Sequence, residues 1–195
     1  MNLKPLILAS ASPRRRQILT DLGVPFEAVP ADLDEEAFTL ADPFETACRL
    51  AHAKASAIYQ NYPDRFVLGS DTVVTFQTAS EWRQLSKPVD VPDACRMLRL
   101  LSGRTHTVAT GVALVGPDTD QSFVETADVT FRELSDGEIA TYVATAEPMD
   151  KAGSYGLQGF AADFVVGIAG DPTTVIGLPK DAVKRLLMAH GILAG

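Results

Sequence analysis

The chain has 195 residues, of which 46% are hydrophobic, and a formal net charge of -8. That length suits one large domain or two intimate lobes around an ample core, and the acidic balance disfavours nonspecific binding to nucleic acid, so a polyanionic ligand needs a local basic pocket. No uncharged apolar run approaches a membrane span and Met1 to Leu8 leads straight into arginines, so neither signal peptide nor anchor is visible and a cytoplasmic location is the expectation.

Leu6, Ile7 and Leu8 form a short apolar run of strand character, followed by Ser10-Ala11-Ser12-Pro13-Arg14-Arg15-Arg16 and a short amphipathic helix. Ser12 is a good N-cap and Pro13 stands in the first turn, where a helix tolerates proline. Ile18, Leu19 and Leu22 give helical spacing, and Gly23 closes the helix. A self-sufficient cap carries Glu or Gln at the third helical position; this chain has Arg15 there, so nothing local neutralises the helix start. Two readings stand side by side. One is an anion site, in which free N–H groups, the helix dipole, Ser10, Ser12 and the arginines meet a phosphate chain; the other is a capped helix with solvated arginines.

Val24 to Pro30 reads as a short strand or extended segment. Asp32-Leu33-Asp34-Glu35-Glu36 is either a solvated acidic loop or part of a divalent-metal site. Asp42-Pro43-Phe44-Glu45 combines N-cap, proline and capping-box glutamate at the head of a helix whose apolar stripe is Phe44, Ala47, Cys48, Ala51, Ala55 and Ile58. Lys54 lies on the edge of that stripe, where it either snorkels to solvent or points into a site beside the core; snorkelling is the simpler expectation. Cys48 and Cys95 both fall on apolar helix faces, as small buried hydrophobes rather than a disulfide or metal pair, and His52, His106 and His190 lack ligand spacing.

Phe66 to Phe76 is an apolar strand interrupted by Gly69-Ser70-Asp71-Thr72. A carboxylate between Leu68 and Val73 is costly unless a cation, a metal or hydrogen-bond donors meet it, which makes Asp71 the first candidate for chemistry; the alternative is a strand-end aspartate held by backbone N–H groups. Gln77 to Ser86, with the only Trp, Trp82, reads as a hairpin or surface excursion before Lys87-Pro88. Pro92 to Leu101 is helical, with Ala94, Met97, Leu98 and Leu101 inward and Gly103 as the stop. Thr105 to Val115 and Ser122 to Phe131 have the pattern of an antiparallel hairpin. Ser135-Asp136-Gly137-Glu138 is a capping box opening a helix with Ile139, Tyr142 and Val143. Glu147 to Gly159 is too glycine-rich for an ordinary element, and ordered loops of this length are usually functional. Phe164 to Ala169 reads as a strand, Gly170 to Gly177 as a turn and short strand, and Pro179 to His190 as a final amphipathic helix stopped by Gly191. Early alternation of helices and strands followed by a late hairpin predicts an α/β fold, a mixed twisted sheet flanked by helices in two lobes around a cleft.

A cationic helix start, a strand carboxylate, Lys54, Lys87, Lys151 and a structured glycine-rich loop suit phosphoanhydride chemistry, where catalysis is mostly positioning and charge neutralisation. No Walker loop, dinucleotide-binding fingerprint or Gly-x-Ser-x-Gly elbow is present. In order, S-A-S-P-R-R near the start, G-S-D-T at Gly69, K-P at Lys87, L-S-G-R-T-H at Leu101, E-P-M-D-K-A-G-S-Y-G-L-Q-G at Glu147 and G-L-P at Gly177 resemble the motifs of the Maf family over nearly the whole chain. The resemblance implies one domain over residues 1–195, with a two-lobed α/β fold related to the inosine triphosphate pyrophosphatases and commonly assembled as a homodimer. It implies a nucleoside triphosphate pyrophosphatase that cuts between the α- and β-phosphates with a divalent cation, Mg²⁺ or Mn²⁺. Asp71 becomes the proton acceptor that activates water and also a metal contact. Arg15, Lys54 and Lys87 hold the triphosphate with help from Ser10 and Ser12, and Glu35 lies near the metal.

The family divides by substrate at positions occupied here by Arg14, Thr72 and Gln158. The 7-methyl-GTP subgroup carries Trp, Gln and Glu there, which suits a cationic base that stacks on an indole and pairs with a carboxylate, whereas an amide serves a neutral uracil or thymine edge. The implied substrates are dTTP and UTP, with modified pyrimidine nucleotides included. The competing readings are a nucleotide-binding regulator of septum formation, which has no use for Asp71, and hydrolysis of 7-methyl-GTP or ITP. Two departures from the family pattern carry expectations: Thr174, where many relatives have Asn, alters loop packing near the site, and the longer Gln77 to Ser86 changes only a surface hairpin. Arg15 is thus assigned to the phosphates, Arg14 to substrate choice and Arg16 to solvent.

Overall fold

Short apolar strands and helices with one small-residue face assemble a seven-stranded mixed sheet in the computed structural model, which describes residues 4–193. In chain order the elements are β1 (Leu6–Leu8), α1 (Pro13–Asp21), β2 (Phe26–Ala28), α2 (Pro43–Tyr59), β3 (Val67–Gln77), β4 (Trp82–Leu85), α3 (Val91–Leu101), β5 (Thr105–Gly116), β6 (Thr119–Phe131), α4 (Asp136–Val143), β7 (Val165–Ala169), α5 (Pro172–Ile176) and α6 (Lys180–Ala189). Spatially the strands run β2-β1-β3-β5-β6-β7, with β4 also on β3. Pairing is parallel among β2, β1 and β3 and antiparallel from β3 through β5 and β6 to β7. No helix among the described residues is long and apolar enough to cross a membrane.

β3 is the pivot of the sheet. Its whole central length pairs with β5, from Val67 opposite Val115 to Thr75 opposite Thr107, so Gly69-Ser70-Asp71-Thr72 does not interrupt the strand, contrary to the expectation from its sequence. On the other edge, β1 reaches only as far as Leu68 and β4 begins only at Val74. Between them Asp71, Thr72 and Val73 line the cleft, and Asp71 stands in mid-strand rather than at a strand end.

Period-two alternation sends Asp71 and Thr72 to opposite faces of β3. The Asp71 face carries α2. Here glycine is required by close approach: a Cβ on Gly69 would lie 2.1 Å from the Ala51 carbonyl oxygen, and one on Gly111 2.1 Å from that of Ala47. Together with the alanines of α2, these glycines seat the helix directly on β3 and β5. The opposite face is divided between two cores. Leu6, Leu8, Leu19, Val183 and Leu187 join β1, α1 and α6 at one end, while Leu98, Phe131, Tyr142 and Tyr155 join α3, α4, β6 and the following loop at the other. The cleft runs between them.

Local signals mostly act as their residue types dictate. Ser12 accepts from Arg15 N, and the Ser135–Glu138 capping box is complete. At α2, Asp42 accepts from Phe44 N and Glu45 N, but the glutamate half of the expected box is not made among the described residues; Thr46 Oγ1 instead donates to the Asp42 carbonyl and accepts from Leu40 N. Gly170 to Gly177, expected as a turn and strand, holds helix α5, capped by Asp171 with Pro172 in its first turn. The loop after α4 contains 3-10 turns at Glu147–Asp150, Ala152–Ser154 and Phe160–Phe164. Cys48 and Cys95 are free and half-buried rather than fully buried.

Candidate active site

The cleft encloses a cavity of about 860 Å³ that gathers the start of α1, the open edge of β3, Lys54 of α2, the segment after β4 and the loop around Lys151. All the residues singled out from sequence for substrate, metal and specificity line it: Ser10, Ser12, Arg14, Arg15, Glu35, Lys54, Asp71, Thr72, Lys87 and Gln158.

At the α1 end, Arg15 is turned inward. Its Nε donates to the Gly177 carbonyl at 2.8 Å, Nη1 to Ser10 Oγ at 3.3 Å and Nη2 to Thr72 Oγ1 at 3.1 Å. Ser10 Oγ also accepts from Ser12 N at 3.1 Å. Burial pulls the guanidinium below its ordinary pKa, and the charge of Asp71 opposes that pull. It stays cationic at neutral pH, because an arginine starts far above that range. Arg16 is exposed, as expected, whereas Arg14 lines the cavity.

On the other side of β3 lies a buried ion pair. Lys54 Nζ is 2.5 Å from Asp71 Oδ1 and 2.7 Å from Glu35 Oε1, with the Lys54 and Asp71 side chains 10% and 11% exposed. Lys54 therefore does not snorkel. Two carboxylates, one delivered by the 3-10 turn Glu35–Phe38, offset the cost of burying its charge. Lys87 Nζ stands 3.9 Å from Glu35 Oε2 and is largely exposed. Burial pushes the Glu35 carboxyl up, but the Lys54 hydrogen bond and the charges of Lys54, Lys87 and Arg15 prevail and hold it below the usual carboxylate range. The acidic loop is thus not simply solvated, since its Glu35 is tied into the site.

The far wall comes from the loop. Lys151 donates to the Glu147 carbonyl at 2.5 Å and to Asp150 Oδ1 at 2.6 Å. Asp150 is raised by partial burial, yet Lys151 and then Arg14 bring it below its ordinary pKa, which marks Arg14 as its neighbour. Met149, Tyr155 and Leu157 give this wall an apolar surface beside Gln158.

One expectation changes. Gln77 to Ser86 is a hairpin, but Gln84, Leu85 and Ser86 line the cavity, so the segment forms part of the site wall rather than a surface excursion alone. Thr174 offers its backbone carbonyl to Thr110 Oγ1 at 2.7 Å, a contact independent of its side chain. Thr72, taken as a specificity position, bonds Arg15 and lies 3.0 Å from Thr110 Oγ1. Sequence reasoning missed the acceptors that fix Arg15: Gly177 O, shared with Ser70 Oγ at 2.9 Å, and the Thr72–Thr110 pair. The signal available was the threonine on two apolar strands.

The family described as Maf-like protein matches residues 5–190. A dTTP/UTP pyrophosphatase of Koribacter versatilis is 47% identical over 188 residues, spanning 96% of this chain and 95% of the relative. One of Bacillus cereus is 46% identical over 191 residues, spanning 98% and 92%. Among solved structures, the Ham1 protein of Staphylococcus aureus aligns with a TM-score of 0.51 at 14% identity, over 96% of this chain and all of that one. A HAM1 protein from Coxiella burnetii aligns at 0.52 with the same identity and coverage, and at that distance the likeness speaks for the fold alone. With the family pattern spanning nearly its full length, the chain belongs to the Maf-like proteins.

Proposed function

We propose that this protein is a nucleoside triphosphate pyrophosphatase that hydrolyses dTTP and UTP to the monophosphate and pyrophosphate. The observation that carries the reading is the Asp71 carboxylate, buried on the open edge of β3, with Lys54 on one face of the strand and Arg15 on the other. The names of the relatives, at 46–47% identity, support the pyrimidine substrates. Asp71 takes the proton from the attacking water. Arg15, Lys54 and Lys87 neutralise the triphosphate, and the α1 N-terminus with Ser10 and Ser12 adds donors. Arg14 and Gln158 face the base, and Thr72 holds Arg15.

A divalent cation fits this donor set. Asp71 and Glu35 converge on the same ammonium group, so two hard oxygen donors already share one place. Two carboxylates suit Mg²⁺, which is often bound by one or two carboxylates plus substrate phosphates. When bound there, the cation supplies charge neutralisation on the phosphates.

The test is incubation with dTTP, UTP and Mg²⁺. Pyrophosphate is the expected product; orthophosphate, no turnover, or a preference for 7-methyl-GTP or ITP would refute the assignment. Asp71→Asn is expected to abolish turnover while retaining nucleotide binding. A homodimer is also expected, supported by exposed Phe160 and by Val166 on edge strand β7, and a monomeric mass by sedimentation would count against it.

A further inference from the structure

The motif residues His106 and Tyr155 meet in the aromatic core beside Phe131. His106 is 2% exposed and Tyr155 5% exposed. His106 Nε2 lies 2.8 Å from the Tyr155 hydroxyl, and the rings meet edge-on at 5.4 Å with Phe131 against both. His106 Nδ1 is the one buried side-chain polar atom without a partner among the described residues. Whichever ring nitrogen carries the proton, Nδ1 is left unsatisfied, so an aromatic residue without polar atoms would suit this pocket better on stability grounds alone.

Tyr155 sits at the root of the cavity wall. Just before it, Gly153 and Ser154 both adopt left-handed backbone, with φ of +69° and +62°, and Ser154 is fully buried. A non-glycine residue held there persists only where its surroundings over-determine it. Gly153 N donates to the Ser86 carbonyl at 3.2 Å, Ser154 Oγ reaches Met97 Sδ at 3.2 Å, and Tyr155 reaches His106. Directly after it come Gly156, Leu157 and Gln158, which line the cavity with Tyr155 itself.

We infer that His106 is a positioning residue: through the Tyr155 hydroxyl it fixes the Tyr155–Gln158 wall against which the pyrimidine base is read. The inference rests on the function proposed above. It places the effect on substrate affinity rather than on the chemical step, because Asp71, Lys54 and Arg15 sit on other elements.

The experiment is steady-state kinetics of pyrophosphate release from UTP and dTTP by wild type, Tyr155→Phe, His106→Phe and the double variant. Tyr155→Phe keeps the ring and removes only the hydroxyl. The expected result is a KM raised about tenfold with kcat within about twofold, as loss of one hydrogen bond predicts, and a double variant no worse than either single. An unchanged KM in a folded Tyr155→Phe, or a loss confined to kcat, would overturn the inference. A second readout needs no substitution: the ring ¹⁵N shifts of His106 in wild type should move when α,β-methylene-UTP binds, and shifts that stay put while the nucleotide is bound would likewise overturn it. If wild type releases no pyrophosphate, the proposed function fails instead, and the two failures are distinct.

Discussion

Arg15 carries a positive charge whose direction is set by three neutral acceptors: Gly177 O, Ser10 Oγ and Thr72 Oγ1. A guanidinium can meet all three in one plane and still present its remaining N–H groups to a phosphate; an ammonium cannot. Arg15→Lys is therefore expected to lower kcat/KM for UTP by roughly 10- to 100-fold, from charged hydrogen bonds worth about 1.5–3 kcal/mol, while the fold is retained. Wild-type kcat/KM in this variant would show that the three acceptors are incidental. At this scale the sequence revealed which residues carry charge but not where they point. Asp71 stood out because a carboxylate in an apolar strand needs a partner. For Lys54 the local pattern left snorkelling and an inward turn both open, because the reason it turns inward includes Glu35, which lies on a different element and whose approach no local pattern encodes.

The seating of α2 decides whether that partner is in reach. Ala47 and Ala51 press their carbonyls against Gly111 and Gly69, and a methyl group at Gly111 would meet the Ala47 oxygen at 2.1 Å. Gly111→Ala must move the helix or the strand, and overpacking of this kind costs about 1–3 kcal/mol. The melting temperature is expected to fall by roughly 2–4 °C per kcal/mol in a chain of this size. Turnover should fall with it, because Lys54 on α2 and Asp71 opposite Gly111 are displaced together. Calorimetry and pyrophosphate release on the same sample check both, and an unaltered melting point would contradict the close approach. Gly69, the member of that pair on β3, explains why the strand read as interrupted. A glycine inside a strand signals either a break or a close neighbour, and the neighbour, α2, comes from elsewhere in the chain. Elements made by local rules were legible: the capped α1, the β5–β6 hairpin and the boxed α4. For α5 the β-branched Thr173, Thr174 and Val175 argued for a strand, yet Asp171 accepts from both Thr173 N and its hydroxyl and starts a helix.

β5 links the two cores, from His106 beside Phe131 and Tyr155 to Leu114 beneath α6. Burial of His106 is therefore a property of the global fold, and it ties stability to pH. Burial lowers its pKa to about 4 from an ordinary value of 6.5, a pull that the charge of Asp128 only partly offsets. Between those values the unfolded chain binds a proton that the folded chain refuses, so stability rises with pH there. The contribution is complete above about pH 6.5 and is lost as pH falls towards 4, with a limiting slope of about 1.4 kcal/mol per pH unit. Glu35 acts in the same direction but lower, because its depressed carboxyl loses its partners only when it is protonated below the ordinary carboxylate range. Urea unfolding at about pH 7.5 and about pH 5 separates the two, since only the histidine titrates across most of that interval. Wild type is expected to lose roughly 2 kcal/mol more than His106→Phe on going from the higher to the lower pH, whatever the variant's stability at neutral pH. Equal losses in the two proteins would mean that His106 takes up its proton in the folded state, and that the aromatic core around it opens to water without unfolding.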